Sequence, residues 1–159
     1  MVKKFNKFIP TIVLLFSAPV LFMVPGCSDK ENTLPLAPIN ITIDPNSTIY
    51  QELNVVGGWL YLAEEDGVLS PSRGIIVHRL TTDQFASFER TPPYKPDSCC
   101  NPAGTICSQL VVEEYPFIID PCTGSKYLII DGSVVQSPSN MPLGTYISEY
   151  DGHLLYIHN

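Results

Sequence analysis

Short apolar runs separated by polar turns make up most of this 159-residue chain. Apolar and polar residues alternate with a period of two in some runs, and others are rich in β-branched residues. Both patterns predict β-strands, and no window shows a sustained helical period. The predicted strands are Asn40–Asp44, Val55–Leu62, Gly74–Leu80, Gln84–Arg90, Leu110–Glu114, Phe117–Ile119, Tyr127–Ile130, Ser133–Val135, Tyr146–Tyr150 and His153–Ile157.

Turn signals lie between these runs. Asp131-Gly132 and Asp151-Gly152 are typical of hairpin turns, and the pair Gly57-Gly58 indicates a break or bulge in the second strand. About ten short strands joined by turns predict an all-β fold, an antiparallel sandwich or barrel.

The first 26 residues have the pattern of an export signal. Three lysines precede a 17-residue apolar run, Phe8–Val24, which contains two prolines. A membrane-spanning helix needs about 20 apolar residues and tolerates proline badly. The pattern therefore favours a cleaved signal peptide over residues 1–26.

Val24-Pro25-Gly26-Cys27 is typical of a lipobox, which predicts that Cys27 becomes the first mature residue and carries the lipid. An uncleaved membrane anchor and an ordinary signal peptide with a chance cysteine stay open as alternatives. Residues 27–38 then form the lipidated cysteine and a flexible tether, and residues 39–159 form the β domain. The acidic start of the tether is typical of lipoproteins sent to the outer membrane or cell surface, or of a solvated linker.

The charge of the chain excludes one class of partner. The formal net charge is −7, and loss of the three signal-peptide lysines would lower it to −10. Nucleic-acid binding needs clustered Lys and Arg, so no nucleic-acid partner is expected. Membrane contact is expected only through the lipid at Cys27, and the protein partner would be an unidentified envelope protein.

One segment carries a family resemblance. Asp120-Pro-Cys-Thr-Gly-Ser-Lys-Tyr127, with Gly132-Ser-Val134 and then Pro138, Leu143 and Tyr146 downstream, resembles the second cluster-binding box of Rieske iron–sulfur domains, Cys-Pro-x-His-Gly-Ser-x-Phe/Tyr, and its tail. The order of features over residues 39–157 is also similar to the family. The resemblance implies a Rieske-like β fold with two loops at one tip, where two Cys and two His hold a [2Fe–2S] cluster.

The cluster ligands of the family are substituted in this chain. The resemblance places the former ligand positions at Pro92, Tyr94, Asp120 and Thr123. Proline has no donor side chain, the phenol and the hydroxyl keep their protons near neutral pH, and carboxylate is a hard ligand. We therefore expect no cofactor, no resident metal and no enzymatic activity. The expected role is a binding or structural module, and the alternative is electron transfer by a variant 2Fe–2S or other thiolate-bound metal centre. The alternative cofactors are a 2Fe–2S cluster or a structural zinc ion.

Four cysteines remain beside Cys27, namely Cys99, Cys100, Cys107 and Cys122. An even number in an exported domain predicts disulfides. The resemblance implies that Cys122 bridges to the loop of the first box. Two pairings stay open: Cys99–Cys122 with Cys100–Cys107, or Cys100–Cys122 with Cys99–Cys107.

The other candidate side chains are aromatic. The three histidines, His78, His153 and His158, are expected to be surface or half-buried strand residues rather than metal ligands. Tyr94, Tyr115 and Tyr127 would form an aromatic patch near the tip, which is a candidate partner surface.

Overall fold

The computed structural model describes residues 36–159. The predicted signal peptide, the lipidation site Cys27 and most of the tether lie outside the described residues and stay predictions. In the part of the chain that is described, no helix has the length and apolar character needed to cross a membrane.

Ten strands and two short 3₁₀ helices form the described chain. The strands are β1 (Asn40–Ile43), β2 (Trp59–Leu62), β3 (Ile75–Arg79), β4 (Phe85–Glu89), β5 (Val111–Val112), β6 (Phe117–Ile119), β7 (Lys126–Leu128), β8 (Val134–Gln136), β9 (Thr145–Tyr150) and β10 (Leu155–His158). The 3₁₀ helices are η1 (Gln51–Asn54) and η2 (Glu64–Asp66). The prediction of an all-β fold with about ten short strands is confirmed.

Six strands form one antiparallel sheet in the order β1-β10-β9-β4-β3-β2. Its two edge strands contribute to the same buried apolar cluster, through Ile41 and Ile43 of β1 and Leu62 of β2. Because a flat sheet would hold its edges far apart, the sheet must curl around this cluster. Tyr146, Leu155 and other side chains of the inner strands fill it.

The other four strands form a small antiparallel sheet in the order β5-β6-β7-β8. It packs on the opposite face of the large sheet, where Ile76 and Phe88 meet Ile118, Tyr127 and Ile129 in a second apolar cluster. β3 thus lies between two apolar layers and all five of its residues are buried. This explains its continuous β-branched run, because a strand covered on both faces does not need polar alternation.

The second predicted strand begins later than expected. Val55–Gly58 form a turn, and Trp59–Leu62 form the strand that pairs with β3. Gly57 and Gly58 exchange backbone hydrogen bonds with Arg79 at the end of β3 (2.8 and 2.9 Å) but lie outside the strand. Gly57 has a φ of +86°, and a Cβ on Gly58 would clash with the carbonyl oxygen of Glu52 in η1. The glycine pair therefore allows η1 to lie close to the sheet. The break that the sequence predicts at this pair is confirmed.

Candidate functional site

Two loops form the candidate site. Loop one is residues 90–109, between β4 and β5, and loop two is residues 120–125, between β6 and β7. Backbone bonds close loop two across its base: the N–H of Asp120 donates to the carbonyl of Ser125 (2.9 Å), and the N–H of Gly124 donates to the carbonyl of Asp120 (2.8 Å). Gly124 has a φ of +77°, a conformation that favours glycine.

The carboxylate of Asp120 is the centre of loop two. Asp120 is fully buried. Its Oδ1 accepts the backbone N–H of Cys122 (2.9 Å), and its Oδ2 accepts the hydroxyl of Thr123 (2.5 Å). Asp120 and Thr123 are the two positions that the Rieske resemblance assigns to cluster ligands in this loop, and here their side chains bond to each other.

A chain of hydroxyl groups continues from this pair. The Oγ1 of Thr123 lies 2.9 Å from the Oγ of Ser125, and that Oγ accepts the N–H of Ser139 (3.0 Å). The single hydroxyl proton of Thr123 is used on the carboxylate, so Ser125 must be the donor to Thr123. The polar side chains of loop two are thus satisfied inside the protein, without a ligand.

Arg73 holds loop one. Its Nη1 donates to the carbonyls of Pro96 (2.6 Å) and Ser108 (3.0 Å), and its Nη2 donates to the carboxylate of Asp97 (2.7 Å). The Arg73 side chain is 16% exposed and that of Asp97 is 81% exposed. The two carbonyl contacts are therefore the better-protected part of this arrangement.

A buried carboxylate anchors the start of loop one. The Oε1 of Glu89 accepts the N–H of Arg73 (3.1 Å) and both the N–H and the hydroxyl of Thr91 (2.8 and 2.7 Å). Its Oε2 accepts the hydroxyl of Tyr146 (2.7 Å). Burial, and then this bond, raises the pKa of Tyr146 well above its ordinary value. Sequence reasoning missed Arg73 and Glu89, because nothing in the pattern distinguishes them from surface charges.

One disulfide joins the two loops, and a second lies within loop one. Cys99 bonds to Cys122 across the loops, and Cys100 bonds to Cys107 within loop one. The structure therefore has one of the two pairings that the sequence left open. The Asp97 carboxylate and the sulfurs of Cys100 and Cys107 come within 4.8 Å of one another. In the disulfide form, those two sulfurs offer no thiolate ligand.

The donor set of the loops does not fit a Rieske centre. In loop two the Asp120 carboxylate is buried and bonded at both oxygens. In loop one, Pro92 is buried and without a donor, and Tyr94 is half-buried with the ammonium of Lys95 5.2 Å from its ring centre. That the positions of loop one gather with those of loop two around one pocket stays a prediction.

Two expectations for aromatic side chains are wrong. Tyr127 is fully buried in the second apolar cluster, so it cannot belong to an exposed patch with Tyr94 and Tyr115. His78 is only 2% exposed, because β3 lies between two layers, and its Nδ1 has no hydrogen-bond partner among the described residues. Burial lowers the pKa of His78.

Comparisons with known proteins give weak structural likenesses. No protein-family model matches the chain, and no curated protein matches it. A structure titled as a complex of reduced oxygenase and oxidized ferredoxin in carbazole 1,9a-dioxygenase is 16% identical, covering 76% of this chain and 91% of that one, with a TM-score of 0.42. NirD of E. coli is 9% identical, covering 77% and 96%, with a TM-score of 0.43. Likenesses of this size carry no argument about function.

Proposed function

We propose that this chain is a lipid-anchored protein of the cell envelope whose Rieske-like β domain holds no cluster and acts as a non-enzymatic binding or structural module. The observation that carries the proposal is the hydrogen bond between the side chains of Thr123 and Asp120. The side chains at both former ligand positions of loop two form hydrogen bonds with each other and with neighbouring groups of the loop.

The disulfides support the same proposal. A cluster held between two loops restrains them relative to each other, and Cys99–Cys122 supplies such a restraint covalently. In the chain-entropy model, a bridge over 23 residues contributes about 3.4 kcal/mol, and one over 7 residues about 2.4 kcal/mol. Against a typical domain stability of about 5–15 kcal/mol, these contributions are large enough to replace a metal centre as the structural link.

A metal and thiol count tests the cluster-free domain. The full-length protein is prepared anaerobically in detergent with iron and sulfide supplied, so that oxidation cannot remove a cluster. We expect no stoichiometric iron or zinc, no visible chromophore, and disulfide-linked peptides that contain Cys99–Cys122 and Cys100–Cys107. A chromophore with two irons per chain, or four free thiols with one zinc, would contradict the proposal in favour of a thiolate-bound centre.

A separate measurement tests the anchor. Mass spectrometry of the N-terminal peptide from envelope membranes should find Cys27 as the first residue, with lipid attached. The matched variant C27A should keep the signal segment and lose the lipid mass. An unmodified thiol at Cys27 would contradict the lipoprotein assignment and leave the result for the β domain standing.

A further inference from the structure

The outer edge of β2 is open. β2 is the last strand of the six-stranded sheet, and among the described strands it pairs only with β3. Within residues 36–159, the backbone groups of Trp59, Leu60 and Tyr61 make no hydrogen bond to any segment beyond β3. A free strand edge is a template for the addition of another strand.

Residues of this edge strand line a cleft. The cleft has a volume of about 770 Å³ and lies between η1, η2 and the run Gly57–Tyr61. Its volume falls in the usual range of binding sites, roughly 300–1,000 Å³. Its lining includes Trp59 and Tyr50, which are half-buried, and Ile49, which is 77% exposed. A groove with an open strand edge and aromatic walls suits an extended peptide, which gains backbone bonds from the edge and apolar contacts from the walls.

The charge of the cleft selects the peptide. Glu52, Glu65 and Asp66 line it, and no Lys, Arg or His of residues 36–159 does. Asp66 is engaged, because its carboxylate accepts the hydroxyl of Tyr50 (3.2 Å) and the N–H of Ala63 (3.0 Å). The carboxylates of Glu52 and Glu65 have no ion-pair or hydrogen-bond partner in the described part of the chain. A complementary ligand therefore carries positive charge.

We propose that this cleft binds an extended, basic segment of a partner protein as an additional strand beside β2. The inference rests on the proposed function as a binding module and names the chemistry of its partner. A second copy of the chain fits poorly, because pairing of two β2 edges would bring the acidic groups of both clefts together, and like charges across an interface are unfavourable.

The chain supplies its own reporter for a test. Trp59 is the one tryptophan in the 159 residues and lines the cleft. The full-length protein in detergent is titrated with an eight-residue peptide of alternating lysine and valine, and Trp59 emission is followed. The comparison peptides are one of alternating glutamate and valine, and the lysine peptide with every second backbone nitrogen methylated.

We expect a saturable change of Trp59 emission with the lysine peptide and none with the glutamate peptide. Methylation should weaken binding about tenfold or more, because the lost strand-to-strand bonds each contribute on the order of a few-fold in affinity. The double variant E52Q/E65Q should weaken binding about fivefold. The matched control E113Q/E114Q makes the same charge change on exposed residues outside the cleft, and should leave binding unchanged.

Three results would overturn the assignment. The first is a flat titration with the lysine peptide, and the second is an equal loss of affinity in the control variant. The third is a shift of the Trp59 emission maximum with protein concentration in the absence of peptide, which would assign the edge to a second copy. None of these results changes the metal and thiol content, so the cluster-free domain is tested independently of this cleft.

Discussion

Replacement of Thr123 by valine tests the central arrangement of loop two. Valine keeps the branched shape of the side chain and removes the hydroxyl that donates to the carboxylate of Asp120 at 2.5 Å. The same change removes the acceptor of the Ser125 hydroxyl. If these bonds hold the loop, T123V should destabilise the folded protein without changing its fold.

The expected loss can be worked from the contacts. A hydrogen bond to a charged group contributes about 1.5–3 kcal/mol, and Asp120 is fully buried, so water does not readily replace the lost donor. Thr123 itself is half-buried, which favours the lower half of that range. We expect T123V to lower the free energy of unfolding by about 2 kcal/mol, equivalent to a fall in Tm of about 6–10 °C for a domain of this size.

Urea unfolding of the full-length protein with its disulfides intact measures this loss. The control is T42V, because Thr42 is exposed on β1 and its hydroxyl has no hydrogen bond among the described residues. We expect T42V to stay within about 0.5 kcal/mol of the parent. If T123V unfolds like T42V, the hydrogen bond between Thr123 and Asp120 does not stabilise loop two.

Three further predictions concern side chains outside loop two. R73K should cost about 1–3 kcal/mol in urea unfolding and speed hydrogen exchange in loop one, because lysine cannot reproduce the bonds to two backbone carbonyls; D97N, at the exposed end of the same arrangement, should cost less than about 1 kcal/mol. Y146F should cost about 1.5–3 kcal/mol because it leaves a buried carboxylate oxygen without its donor. Y127F should cost less than Y146F, because the buried hydroxyl of Tyr127 has no hydrogen bond of ordinary geometry within residues 36–159; equal losses in the two variants would contradict this. Burial lowers the pKa of His78 in the folded protein, so below about pH 6.5, the ordinary pKa of histidine, the unfolded chain binds a proton at this residue more readily than the folded protein does. Protonation of His78 therefore lowers the free energy of unfolding as the pH falls below this value, and has no such effect above it. H78Q removes this group and should show a shallower loss of stability on acidification.

The strands were predictable because their chemistry is local. β1 alternates exposed and buried residues, Asn40 outward and Ile41 inward, and a period of two shows this directly in the sequence. The division into a six-stranded and a four-stranded sheet was not predictable. It depends on pairings such as β1 with β10 and β4 with β9, which join distant parts of the chain and leave no local pattern.

The disulfide pairing shows where sequence reasoning stopped. Cys100 and Cys107 face each other as an isolated antiparallel bridge within loop one. Cys99 lies in the turn that precedes this bridge, and with Cys100 bonded to Cys107, its sulfur bonds to Cys122 of loop two. The register of this small bridge decides between the two pairings, and no residue in the sequence specifies that register.

Loop two contains a hydrogen bond, between Asp120 and Thr123, that the resemblance of its sequence to the Rieske box does not predict. Compared with the Rieske box that the sequence resembles, Asp120 and Thr123 differ only in lacking the thiolate and the imidazole of that box. By hydrogen-bond chemistry they form a matched acceptor and donor three residues apart, and the bond from the Cys122 N–H to the Asp120 side chain is the Asx-turn that aspartate favours at the start of a tight turn. Two restraints therefore act at the tip in different ways. The bonds of Asp120 shape loop two by itself, and the Cys99–Cys122 bridge fixes it to loop one. Because the two restraints are chemically independent, a substitution can remove either one and leave the other in place.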